Sequence, residues 1–159
     1  MTDHPEHIPV WSAADAQALY AMDVWGDGFY FVNESGNVAV RPLDGSDLAI
    51  DITRVIEAAK AEGIALPLLI RFQDVLRVRV ERLNAAFRHA IAQAGYTSRY
   101  QAIYPIKFNQ LHEVVEEVLD AGAPYDLGLE CGSKTELVAT LPLIGDERGV
   151  RCVETPPPI

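Results

Sequence analysis

From residue 66 onward, short continuous apolar runs alternate with stretches whose apolar residues recur every three or four positions. LPLLIRF (66–72) is apolar without interruption and predicts a strand covered on both faces. Leu76, Val80, Leu83, Phe87, Ile91 and Ala94 then mark one face of a long helix that stops at Gly95. YQAIYPIK is the second strand candidate. Leu111, Val114, Val115, Val118 and Leu119 follow as a helical stripe, with Glu113, Glu116, Glu117 and Asp120 on the wet face. YDLGLEC is the third strand candidate, and SKTELVATLPL a further helix opened by Ser133 and Glu136 as a capping box. Strand and helix in strict alternation predict βαβ units around a parallel sheet.

Three such units do not close a barrel, which takes eight. The remaining GDERGVRCVETPPPI reads as an irregular proline-rich tail with no fourth strand. The chain is therefore expected to be α/β, the first βα units of an incomplete α/β barrel. Residues 46–145 form this part, beginning with the helix of DITRVIEAAKAEG, whose inner face is Ile52, Val55, Ile56 and Ala59. Residues 1–45 form a preceding segment. Ser12 and Asp15 cap a short helix there, and FYFVN and VAVRP flank ESGN as a β-hairpin with Gly36 in the turn. Residues 146–159 are the tail.

Composition removes several classes. A formal charge of −10 over 159 residues argues against nucleic acid, whose phosphates need basic patches; it is compatible with a cationic substrate. No apolar run reaches the roughly 20 residues of a membrane span, and the polar, acidic N-terminus predicts no signal peptide. Cys131 and Cys152 make no disulfide framework and stand at no metal-ligand spacing with histidines. The expectation is a cytoplasmic protein, with no metal-ligand constellation in view. A P-loop and a GxGxxG fingerprint are absent, which removes the usual support for a doubly wound nucleotide-binding fold.

Lys107 is the first candidate for chemistry. It ends YQAIYPIK and precedes the Asn109–Gln110 turn, so in a (β/α) barrel it would project at the carboxyl ends of the strands, where active sites sit. In an apolar surround its amine would lose charge and attack an aldehyde to form a Schiff base, as with pyridoxal 5'-phosphate (PLP). The alternative is a lysine that snorkels to the rim. Arg71, at the end of LLIRF, either joins a structural ion pair, with Glu130 for instance, or meets a carboxylate of a ligand. Asn109 caps the turn behind Lys107. Cys131 is a small core residue. His4 and His7 fall in a polar tail and His89 and His112 on helices, all four expected to be solvated or partly packed.

YPIKFNQ followed by GLECGSKTEL resembles the biosynthetic arginine decarboxylases, members of the alanine racemase-like group of PLP enzymes. LYAMDVWGDGFYFVNESGNVAVRP and LPLLIRFQDVLRVRVERLNAAFRHAI resemble that family's N-terminal segment and first strand and helix. The similarity runs from about residue 10 to about residue 144 and corresponds to the N-terminal portion of a family member. It implies a PLP-binding (β/α)8 TIM barrel, with Lys107 as the lysine that forms the internal aldimine. It also implies conversion of L-arginine to agmatine and carbon dioxide in polyamine biosynthesis. Glu130 matches a carboxylate that would orient the cofactor, or else pairs as a rim carboxylate. Glu136 matches a further acidic position, which its capping box with Ser133 also explains. Magnesium and a homo-oligomeric full-length enzyme are family expectations. The family's cofactor-stacking histidine, its phosphate-binding glycines, the acid facing the pyridine nitrogen and its C-terminal β-domain lie outside the matching stretch. RGVRCVETPPPI departs from the family, as a frameshift, a premature stop or a fragmentary gene model would produce. The opposing expectation is a non-catalytic product, either a defective fragment or a regulator that binds full-length subunits. Within the enzyme class the alternatives are sister decarboxylases acting on ornithine, lysine or diaminopimelate.

Overall fold

A computed structural model of the chain describes residues 10–143 and, as backbone, residues 152–154. His4, His7 and the rest of the tail lie outside the described residues. The chain forms two compact units, Met1–Arg71 and Phe72–Ile159. The boundary expected near residue 45 thus falls inside the first unit.

In the first unit, helix α1 (Ala13–Leu19) begins where Ser12 and Asp15 satisfy each other's backbone. Ser12 Oγ accepts the Asp15 N–H at 3.2 Å, and the Asp15 carboxylate accepts the Ser12 N–H at 2.9 Å. A short helix α2 (Met22–Trp25) leads into strands β1 (Tyr30–Val32) and β2 (Val38–Val40). These pair antiparallel, with Tyr30 opposite Val40 and Val32 opposite Val38. Gly36 holds φ at 80° in the connecting turn, where a side chain would be strained. Strand β3 (Ile50–Asp51) adds to the other edge of β2. Met22, Phe29, Ala39, Val40 and Pro42 are buried in this small core.

Asp51 ties the hairpin to the next helix. Its Oδ2 accepts from the amides of Asn33 at 3.0 Å and Asn37 at 2.9 Å, while Oδ1 accepts the Thr53 N–H at 2.8 Å and caps α3 (Ile52–Ala61). The Asn37 hydrogen bond is the largest influence holding the Asp51 carboxyl below its usual value of 3.8.

The second unit opens with α4 (Gln73–Ala94), which ends in a left-handed Gly95 whose neighbour Tyr96 donates back to the Ile91 carbonyl at 3.1 Å. Then come β4 (Ile103–Pro105), α5 (His112–Gly122), β5 (Gly128–Cys131), α6 (Lys134–Thr140) and β6 (Cys152–Glu154). The three strands form a parallel sheet in the order β4-β5-β6, with Pro105 beside Glu130 and Glu130 beside Val153. Alternation along the chain sends Leu127, Leu129 and Cys131 to one face of the sheet, where Ala102, Ile106, Val115, Val118 and Leu119 pack with them. Leu129 is completely buried at the centre. Gly122 is required by this packing: a Cβ there would overlap the Leu127 side chain, with Leu127 Cδ1 at 2.7 Å. Arg77 reaches Glu117 at 2.6 Å and joins α4 to α5.

Two expectations are corrected. LPLLIRF forms no strand; Leu66 and Leu69 are 59% and 79% exposed. A run apolar on both faces becomes a strand only where other strands accept its backbone hydrogen bonds, and none does so among the described residues. Conversely, the tail expected to be irregular supplies β6. Parallel pairing with β5 requires only backbone groups, so the proline that follows two residues later does not prevent it.

Leu129→Ala is expected to cost the second unit about 2–5 kcal/mol in urea unfolding, because a central side chain leaves a cavity. In the first unit, Asp51 contributes stability that is present above its unfolded value and lost as pH falls through its lower folded value. Asn37→Ala should therefore shift the acid transition to higher pH. The emission of Trp11 and Trp25, the chain's two tryptophans, reads that transition, and identical midpoints would refute the role given to Asn37.

Candidate functional site

The carboxyl edge of the β4-β5 pair gathers four of the five residues singled out from the sequence. Beyond Pro105 the chain turns through one 3₁₀ turn, Ile106–Phe108, before α5 begins. Ile106 points into the core and is 3% exposed, whereas Lys107 and Phe108 stand out from it, Phe108 74% exposed. Lys107 makes no hydrogen bond or ion pair with any described residue. It has taken the rim position, and the apolar surround expected around its amine is not built by the described residues.

The turn itself is braced at several points. Asn109 Oδ1 accepts the Leu111 N–H at 3.1 Å, the capping role expected of it. The Tyr104 hydroxyl donates to the Asn109 carbonyl at 3.2 Å, closing the loop from its other side. Burial raises the Tyr104 hydroxyl above its usual value, so it remains a donor through neutral and mildly alkaline pH. Sequence patterning did not single out Tyr104. The signal available was an aromatic hydroxyl five residues before an asparagine with a proline between them, and nothing in periodicity gives that spacing meaning.

One strand over, Glu130 is half-buried on the opposite face of β5 from Leu129, level with Pro105. Glu136 does not complete the capping box. Ser133 Oγ accepts the Glu136 N–H at 3.2 Å as expected, but the Glu136 carboxylate reaches past Ser133 to accept the Gly132 N–H at 2.7 Å. Two carboxylates consequently flank Gly132: a Cβ placed there would lie 3.5 Å from Glu136 Oε2 and 3.7 Å from Glu130 Oε1. A cleft of about 170 Å³ opens beside Glu136, lined by Ile106, Gln110, Ser133, Thr135 and Thr140 among others. Cys131 is buried beneath, 3.5 Å from Thr140 Oγ1.

Arg71 is exposed at the end of the first unit. His89 and His112 are exposed, His112 beside Glu116 at 3.6 Å on the same helix. Among the described residues no group of three His, Cys, Asp or Glu side chains is placed to hold a metal ion, and no helix is long and apolar enough to cross a membrane.

No family model matches the chain. It is 42% identical over 136 residues to a biosynthetic arginine decarboxylase of Prochlorococcus marinus, a match spanning 86% of this chain and 21% of that protein. It is 47% identical over 140 residues to arginine decarboxylase 1 of Oryza sativa, spanning 82% of this chain and 20% of the relative. In structure it resembles the biosynthetic arginine decarboxylase of Campylobacter jejuni, with a TM-score of 0.75 at 26% identity over 86% of this chain and 22% of the other. The chain therefore spans about a fifth of the length of the relatives it matches.

Glu136→Ala is expected to speed amide exchange at Gly132 and to cost about 1 kcal/mol, since the turn after Glu130 loses its acceptor. Unchanged exchange at Gly132 would remove Glu136 from the bracing of this edge.

Proposed function

We propose that this chain, related in sequence and fold to the N-terminal portion of the biosynthetic arginine decarboxylases, supplies the lysine-bearing edge of a PLP-dependent arginine decarboxylase. The reaction is the conversion of L-arginine to agmatine and carbon dioxide, a step toward polyamines. The observation that carries this reading is Lys107, a primary amine held out from a braced turn at the carboxyl end of a parallel strand. An exposed amine without a partner among the described residues fits covalent attachment of an aldehyde, and the half-buried carboxylate of Glu130 on the neighbouring strand fits an orienting role.

When bound, PLP supplies the electron sink that lets the α-carboxylate of an amino acid leave as carbon dioxide. Lys107 would hold the cofactor through its aldehyde carbon and would move a proton to or from the substrate's α-carbon. Glu130 orients the bound group and influences its protonation. Asn109 and Glu136 keep the two turns that present Lys107 and Glu130 in place. Magnesium, assembly with a second copy in the full-length enzyme, closure of a (β/α)8 barrel by further chain and a cytoplasmic location complete the reading.

Titration with PLP, borohydride reduction and peptide mapping test it. One adduct per chain on Lys107, with Lys60 and Lys134 unmodified and the Lys107→Ala variant unlabelled, is the expected result. Labelling spread evenly over the three lysines would refute it. In a polypeptide that joins this stretch to the rest of the relatives' length, Lys107→Ala should lower carbon dioxide release from arginine by at least about a hundredfold.

A further inference from the structure

The geometry points to Tyr104 as a positioning residue for Lys107, through a hydroxyl strap that closes the turn on which the lysine stands. This inference rests on the reading of Lys107 given above and assigns a cause to the placement of its amine.

The segment from Tyr104 to Leu111 has to leave a strand, expose one side chain and enter a helix within a few residues. Ile106 fixes its inner side in the core. Among the described residues no backbone N–H reaches the Asn109 carbonyl: the 3₁₀ turn is a single turn, and Asn109 leaves it in an extended conformation with φ at −157°. The carbonyl of Asn109 therefore looks to a side chain for its donor, and Tyr104 provides it at 3.2 Å. Tyr104 is itself half-buried with its ring packed against the same core cluster as Ile106. Asn109 Oδ1 extends the strap to the Leu111 N–H and so to the start of α5. Lys107 lies between the two ends of this bridge. Removing the hydroxyl leaves the ring and its packing in place and frees the far end of the turn, so that the amine samples more directions than the one a bound aldehyde requires.

The test compares the protein with its Tyr104→Phe variant at a PLP concentration that half-labels Lys107, using borohydride trapping and peptide mapping. Lys60 and Lys134 act as internal references. The expected result is a two- to tenfold lower Lys107 adduct, on the order of one hydrogen bond, with labelling of Lys60 and Lys134 and the melting temperature unchanged. An equal Lys107 adduct in both proteins overturns the inference. A parallel change at all three lysines together with a lowered melting temperature also overturns it, because that marks general loosening. If PLP shows no preference for Lys107 in the unmodified protein, the functional reading fails separately. The strap is then decided by acetic anhydride: a changed Lys107-to-Lys60 acetylation ratio in Tyr104→Phe supports it, and an unchanged ratio overturns it.

Discussion

The parallel pairing of Ile103–Pro105 with Gly128–Cys131 is the constraint on which the second unit depends. Two strands running side by side in the same direction need a crossover, and α5 is that crossover. Its buried face of Val114, Val115, Val118 and Leu119 is what holds the sheet's core side away from water. With the register set at Pro105 beside Glu130, the residues just past each strand end are brought to one edge. Lys107 and Glu130 are separated by 22 intervening residues in sequence and share that edge because of the ladder alone.

The edge is built mainly by local polar devices rather than by burial. Asn109 and Tyr104 hold one turn, and Ser133 and Glu136 hold the other. Each of these hydrogen bonds contributes modestly, about 1 kcal/mol. Their effect is on direction more than stability: they limit where the Lys107 and Glu130 side chains start from. Under the function proposed above, such preorganisation would serve an aldehyde-bearing cofactor, since the reacting amine has to meet the carbon from one side. The same logic operates in the first unit, where one carboxylate, Asp51, serves the hairpin and the helix cap at once.

Much of this was legible in the order of residues. The helix over residues 112–122 followed from its apolar stripe, and the hairpin from ESGN with Gly36. The cap at Ser12 followed from the short polar pair three residues apart. Each of those signals describes neighbours a few residues away, and local geometry suffices to realise them. LPLLIRF misled because its apolarity reports what would cover the run, not whether a partner strand is present. Residues 152–154 misled in the opposite sense, because prolines nearby suggested irregular chain where backbone pairing with β5 was still open. Glu136 had the right spacing for a capping box, yet its carboxylate accepts from the Gly132 N–H, just beyond Ser133.

By itself the sequence determined the helices and strands between Gln73 and Thr140, their apolar faces, and the presence of a lysine at the end of YPIK. These depend on periods of two and 3.6 and on backbone chemistry that acts within a turn or two. Tertiary structure alone decided that Lys107 stands exposed on the rim, that Glu130 shares its edge, and that Tyr104 reaches across to Asn109. Each of those facts depends on where a side chain arrives after the backbone has folded, and a distance between atoms that are not neighbours along the chain is set by packing and register, not by local pattern.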